Sequence, residues 1–164
     1  MLNVTTIPMT EFALRWRFTD PKYRLLPATH LAQVQPLDAV SSRRLQDTAS
    51  RWSYETDPAN GTFATAARTS IDAYTPDEVC RVRTWLYERG IPLSRRVFLS
   101  WNGELAALTT WKMVIRYWDA FWYPSSDDLL VLDASQSWAL LLWHEEHAFF
   151  ASDAARDPGR CSRR

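Results

Sequence analysis

Hydrophobic and polar positions alternate along EFALRWRFTD: Phe12, Leu14, Trp16 and Phe18 fall on one side, Ala13, Arg15 and Arg17 on the other. A period of two is the mark of a half-buried strand, so a strand is expected here. PKYRLLPATHLAQVQPLD carries three prolines and reads as an ordered loop with short turns. Asp38 can cap a helix over residues 39 to 52 with Val40, Leu45, Ala49 and Trp52 inward. The next stretch, from Ser53 to Tyr74, is small and polar, with turns at Asp57-Pro58 and Asn60-Gly61. TPDE, at Thr75 to Glu78, combines a capping box with proline at the first helical position. The helix it starts turns Val79, Val82, Trp85 and Leu86 inward and ends at Gly90.

Beyond that helix, RRVFLSW and ELAALTTW flank Asn102-Gly103, which predicts a hairpin over residues 96 to 110 with a type I′ turn. WKMVIRYWDAFW then changes period. Trp111, Val114, Ile115, Trp118, Phe121 and Trp122 share one helical face, while Lys112, Arg116 and Asp119 lie off it. Pro124 ends the segment. DLLVLD, SWALLLW and HAFFA follow as three meander strands, with turns at Ala134 to Gln136 and near Glu145-Glu146. The resulting expectation is an α+β fold: an antiparallel sheet of about five strands with two or three helices packed on one face. No parallel βαβ pattern, glycine-rich phosphate loop or internal repeat is visible, which excludes the nucleotide-binding folds.

Composition adds bounds. The 164 residues suit a single domain, expected over 1–153 with 154–164 as a disordered tail, and 46% hydrophobic content supports a core without disulfide staples. Cys80 and Cys161 make no disulfide framework, and Cys80 reads as a small buried hydrophobe. The opening MLNVTTIPMTEF lacks the basic start and apolar run of an export signal, and the longest apolar run is too short for a bilayer, so a cytoplasmic protein is expected. Net charge is zero, which gives no field for nucleic acid or membrane. The basic pairs in RWR (15–17) and SRR (94–96) read as solvated strand faces.

The charges are nevertheless unevenly spread. Residues 1–116 hold 15 Lys or Arg against 11 Asp or Glu, whereas residues 117–153 hold seven acids and no Lys or Arg. The nine Trp, seven Phe and six Tyr exceed the needs of a core this size, and Trp118, Trp122, Tyr123, Trp138 and Trp143 are not all expected inside it. Acids interleaved with aromatics suit a surface that captures a cationic partner. The partner-binding candidates are Trp118, Asp119, Trp122, Tyr123, Asp127, Asp128, Glu145 and Glu146.

His144-Glu145-Glu146-His147 offers a competing chemistry. Helical zinc proteases need histidines four apart, and these are three apart among strands. Strand alternation would send His144 and Glu146 one way, Glu145 and His147 the other, so no metal or other cofactor is expected; a tight turn here would weaken that objection, and a third ligand would then have to come from His30 or an Asp. The alternative is a small metal-dependent or acid–base hydrolase using this segment with Asp127 and Asp128.

LRWRFTD followed by LAQVQPLD resembles a family of small bacterial proteins of unknown function, in which a basic-Trp-x-Phe-Thr strand precedes a similar loop. The matching positions are Arg15, Trp16, Phe18, Thr19 and Pro36, and TTWKMVIRYWDAFWY resembles that family's Trp-centred segment. The resemblance covers about half the chain and implies no activity. In size, absent export signal and acidic patch, the chain also resembles the immunity proteins of bacterial contact-dependent and secreted toxin systems. That resemblance implies a cognate toxin domain with a basic surface as partner; nuclease toxins, with their basic clefts, fit it. It implies no catalysis, and the sequence leaves the oligomeric state open.

Overall fold

The computed structural model describes residues 3–52, 57–71 and 75–153. Its helices are α1 (Trp16–Thr19), α2 (Ala28–Leu31), α3 (Ala39–Ala49), α4 (Pro76–Tyr87) and α5 (Trp111–Phe121). Its strands are β1 (Gln35–Pro36), β2 (Ala67–Ser70), β3 (Arg96–Ser100), β4 (Ala106–Thr110), β5 (Leu129–Leu132), β6 (Trp138–Trp143) and β7 (His147–Ser152). The fold is α+β with one antiparallel sheet, as the pattern predicts, but among the described residues the sheet has seven strands, in the order β1-β4-β3-β5-β6-β7-β2. Both extra strands are edges. They are two and four residues long, too short and too polar to show a period.

The helices pack on both faces of the sheet, not on one. Val97, Leu99, Ala107, Leu129, Val131, Leu140, Leu142 and Ala148 meet Phe18, Val82 and Leu86 and the apolar side of α5. The alternate residues Phe98, Ala106, Leu108 and Leu132 meet Leu45 and Ala49 of α3. Further along the same face, Ala139, Leu141, Trp143, Phe149 and Ala151 meet Trp52 and Phe63. Burial on two faces is why β6 reads WALLLW with no polar position: all six residues are buried. Trp118, Trp122 and Trp138 are interior in the cluster under α5 and Trp143 on the opposite face, whereas Tyr123, the fifth aromatic of that set, is only half-buried.

The strand expected over residues 12–18 is a run of turns ending in α1. Arg15 N–H donates to the Phe12 carbonyl, Arg17 N–H to Leu14 and Phe18 N–H to Arg15, so the backbone satisfies itself locally and joins no sheet. Arg17, assigned to the outer face, is buried. Val40 is 49% exposed rather than inward, whereas Leu45, Ala49 and Trp52 are buried as expected. Cys80 is exposed, one helical step round from the inward Val79. The two capped helices begin where their signals place them: Asp38 accepts from Ser41 N–H at 2.7 Å and Thr75 from Glu78 N–H at 3.3 Å. Residues 154–164 lie outside the described residues.

The hairpin over 96–110 forms, with Ser100 opposite Ala106. Its connection is five residues long, and neither Asn102 nor Gly103 has positive φ, so it is not a type I′ turn. Instead Asn102 Oδ1 accepts from the N–H groups of Glu104 and Leu105, both at 2.8 Å. β4 and β5 both pair with β3, and α5 crosses between them over the face it covers. Both sheet edges are occupied. Beside β1, which contains Pro36, Ile7 N–H donates to the Pro36 carbonyl. Beside β2, Arg81 of α4 donates to the Ser70 carbonyl and to Thr69 Oγ1.

Trp118 is 0% exposed at the centre of the α5 face, so Trp118→Ala lowers stability by about 3–5 kcal/mol in urea unfolding, with no recovery of the native midpoint at lower temperature.

Candidate functional site

Every acid between residues 117 and 153 except two glutamates and Asp128 is held by an arginine from earlier in the chain, between Arg17 and Arg95. Asp119 pairs with Arg24 and lies 3.8 Å from Arg83. Asp127 pairs with Arg17, Asp133 with Arg95 at 3.6 Å, and Asp153 with Arg51. Asp128 takes His144 instead, its Oδ1 lying 2.8 Å from Nδ1 and also accepting the His144 N–H at 2.9 Å. The uneven charge along the chain is therefore largely closed inside the fold. Among the described residues, Glu145 and Glu146 alone of these acids have no Arg, Lys or close His partner; His144 Nε2 lies 4.0 Å from Glu145.

The Arg17–Asp127 pair is the most buried of these. Arg17 is 5% exposed and Asp127 9%. The guanidinium grips both carboxylate oxygens, with Nη2 at 3.0 Å from Oδ1, and reaches the Phe121 carbonyl at 3.3 Å. Asp127 also accepts Tyr123 N–H at 3.0 Å, and its own carbonyl accepts Trp122 Nε1–H at 2.9 Å. The pair thus fixes the turn between α5 and β5. Above it, the Arg17 guanidinium lies 4.7 Å from the Tyr123 ring and 5.2 Å from Trp16.

Those rings form a platform. Trp16 and Tyr123 stack at 5.9 Å with planes 9° apart, Trp16 meets Tyr23 at 4.5 Å, and Tyr23 meets Tyr123 at 6.0 Å. Trp16 and Tyr123 are half-buried and Tyr23 is exposed. Partial burial pushes the Tyr123 phenol above its ordinary value, against the pull of Arg17. Ser125 N–H donates to the His144 carbonyl at 3.0 Å, which sets the turn after Tyr123 beside the turn at His144 to Glu146. Of the expected partner-binding residues, Tyr123, Asp128, Glu145 and Glu146 are accessible and gathered at this end of the sheet. Trp118 and Trp122 are fully buried, and Asp119 and Asp127 are taken up by arginines, so these four are not part of that accessible group. Trp16 and Tyr23 were missed. The strand reading sent Trp16 inward, and Tyr23 carries no pattern of its own; only the excess of aromatics pointed to such a surface.

The HEEH segment is a tight turn, not continuous strand. His144, Glu145 and Glu146 connect β6 to β7, with Glu146 N–H donating to the Trp143 carbonyl and Glu146 at φ 58°. Strand alternation therefore does not govern these side chains. What separates the histidines is their partners: His144 Nδ1 is on Asp128, and His147 Nδ1 is 2.8 Å from the Glu145 carbonyl. Among the described residues no group of three or more His, Cys, Asp or Glu is placed to hold a metal. Asp128 can orient His144 as a base, but among the described residues no hydroxyl or thiol hydrogen-bonds its Nε2. Ser100, which lines a cleft with Asp128, is bonded to Gln46 Oε1 at 3.2 Å.

No protein-family model, curated protein or solved structure matches the chain. No helix among the described residues is long and apolar enough to cross a membrane.

Breaking the buried pair from one side strands the other charge. Asp127→Asn or Arg17→Met lowers unfolding free energy by about 3–5 kcal/mol, and the double variant Arg17→Met/Asp127→Leu costs less than the sum of the single changes in a double-mutant cycle. Tyr123 gives a pH signature. A phenol whose folded pKa is raised contributes stability that is full below the ordinary value of 10.0 and is lost as pH rises through the folded value. Urea unfolding at alkaline pH should therefore show a steeper decline for the wild type than for Tyr123→Phe.

Proposed function

We propose that the chain is a binding protein of the immunity type, and that it receives the basic face of a toxin domain on the Trp16–Tyr23–Tyr123 platform and the neighbouring His144–Glu146 turn. The observation that carries this reading is the platform itself. Three rings in mutual contact, two of them over the guanidinium of a buried ion pair, lose little freedom on binding, as interface hot spots require. Glu145 and Glu146 supply negative charge that no arginine among the described residues neutralises, and Asp128 stands beside them on His144. Charges at such a rim set encounter rate and salt dependence, while the rings supply affinity. The complement is a cationic surface, such as the substrate cleft of a nuclease toxin, and the expected setting is the cytoplasm.

A second reading, an acid–base hydrolase, has the 2.8 Å Asp128–His144 contact in its favour. It requires a nucleophile or activated water at His144 Nε2 and makes that ring indispensable. Under the binding reading protection is stoichiometric, saturating at one chain per toxin, and His144→Ala lowers it only as far as it lowers affinity.

Sequencing the genes beside that of this chain, and following the growth of cells that produce any polymorphic toxin found there, tests the proposal; a neighbourhood without one counts against it. The wild-type chain should restore growth. Tyr123→Ala should weaken toxin binding by about 2 kcal/mol or more. Glu145→Lys/Glu146→Lys should slow association and flatten its salt dependence, with an unchanged unfolding midpoint. A toxin bound equally well by all three proteins would remove this surface from the interface, and the absence of any protective effect would end the immunity reading.

A further inference from the structure

At the other end of β5 and β6 from the aromatic platform lies a cavity of about 490 Å3, lined by Val4, Pro92, Ser94, Arg95, Arg96, Phe98, Leu108, Asp133, Ala134 and Ser135. Its volume falls within the range of roughly 300–1,000 Å3 typical of small-molecule sites. Its walls divide by chemistry. Phe98 and Leu108, on adjacent strands of the α3 face, provide an apolar floor, with Val4 and Pro92 at the sides. The basic pair of the SRR segment supplies two guanidinium groups, and the turn after β5 supplies one carboxylate.

Those three charges are not equivalent. Asp133 is almost wholly buried and fully engaged: Oδ1 accepts from Ser135 N–H at 3.0 Å, Ser135 Oγ–H at 2.5 Å and Gln136 N–H at 3.2 Å, while Oδ2 faces Arg95 at 3.6 Å. Arg95 is thereby matched by Asp133. Arg96 makes no hydrogen bond and no ion pair with any described residue, although the cavity it lines also contains a carboxylate. Subtracting the matched pair leaves a single positive charge over an apolar floor.

We infer that this cavity is a binding site for a small monocarboxylate with an alkyl or aryl body, the carboxylate taken by Arg96 and the body laid on Phe98 and Leu108. A guanidinium presents parallel N–H donors that fit a carboxylate bidentately. One unmatched cation suits a monoanion; a phosphate monoester, close to a dianion at neutral pH, would leave charge uncompensated. Asp133 does not compete for Arg96, because its oxygens are already committed to the turn and to Arg95. The site is separate from the proposed docking surface, so either can hold without the other.

Titration of the full chain with octanoate, octanol and octyl phosphate, followed by amide chemical shifts, tests the site. Octanoate should bind saturably, with shifts confined to the lining residues. Octanol, which keeps the body and loses the charge, should bind about tenfold or more weakly. Arg96→Gln should bring octanoate down to the affinity of octanol while leaving octanol binding and the unfolding midpoint unchanged, since Arg96 is exposed and holds nothing in the fold. Arg96→Lys should retain an intermediate affinity. Equal octanoate binding by wild type and Arg96→Gln would overturn the assignment, as would shifts scattered over the surface or octyl phosphate binding more tightly than octanoate.

Discussion

One ion pair organises the connection between the two halves of the chain. Arg17 and Asp127 are almost without water, and each is the other's counter-charge there. Such a pair adds little net stability over apolar residues of the same shape, but it tolerates only one geometry. That geometry docks α1 on the end of α5 through the Phe121 carbonyl, holds the turn between α5 and β5 through Tyr123 N–H, and sets the Trp16 and Tyr123 rings side by side over one guanidinium. The exposed platform exists because the charge below it is fixed.

The same principle accounts for the charge asymmetry. A stretch of acids without a single Lys or Arg suggests an external cation when read along the chain. Folded, Asp119, Asp127, Asp133 and Asp153 meet Arg24, Arg17, Arg95 and Arg51 across the sheet and its flanking turns. Linear segregation of charge is thus a record of pairing between distant segments. Of the seven acids, what it leaves without an arginine or a close histidine among the described residues is Glu145 and Glu146, side by side at one end of the sheet.

The elements legible in the sequence are those whose periodicity is strong and whose ends carry local chemistry. The helix from Pro76 has Thr75 and Gly90 to bound it, the helix from Trp111 has an apolar stripe, and the last three strands have turn residues between them. The unread elements lack such signals. β1 and β2 are pinned by neighbours rather than by any pattern of their own. The Phe12–Phe18 alternation has the period of a strand, but the fold uses Arg17 from inside, which only Asp127, 110 residues away, explains. Trp118 and Trp122 were assigned both to a core face and to a binding surface; two covered sheet faces provided more interior than one would have.

That separation of 110 residues also has a consequence during synthesis. At about 5–20 residues per second, on the order of ten seconds pass between the addition of Arg17 and that of Asp127. Until then α1 has neither its counter-ion nor α5 to pack on, and the segment carrying Trp16, Phe18 and Tyr23 emerges from the ribosome before its partners have been made. The first half of this chain is therefore the part that most needs shielding by chaperones in the cell, and the part on which synonymous changes that slow translation before Asp127 would weigh most heavily.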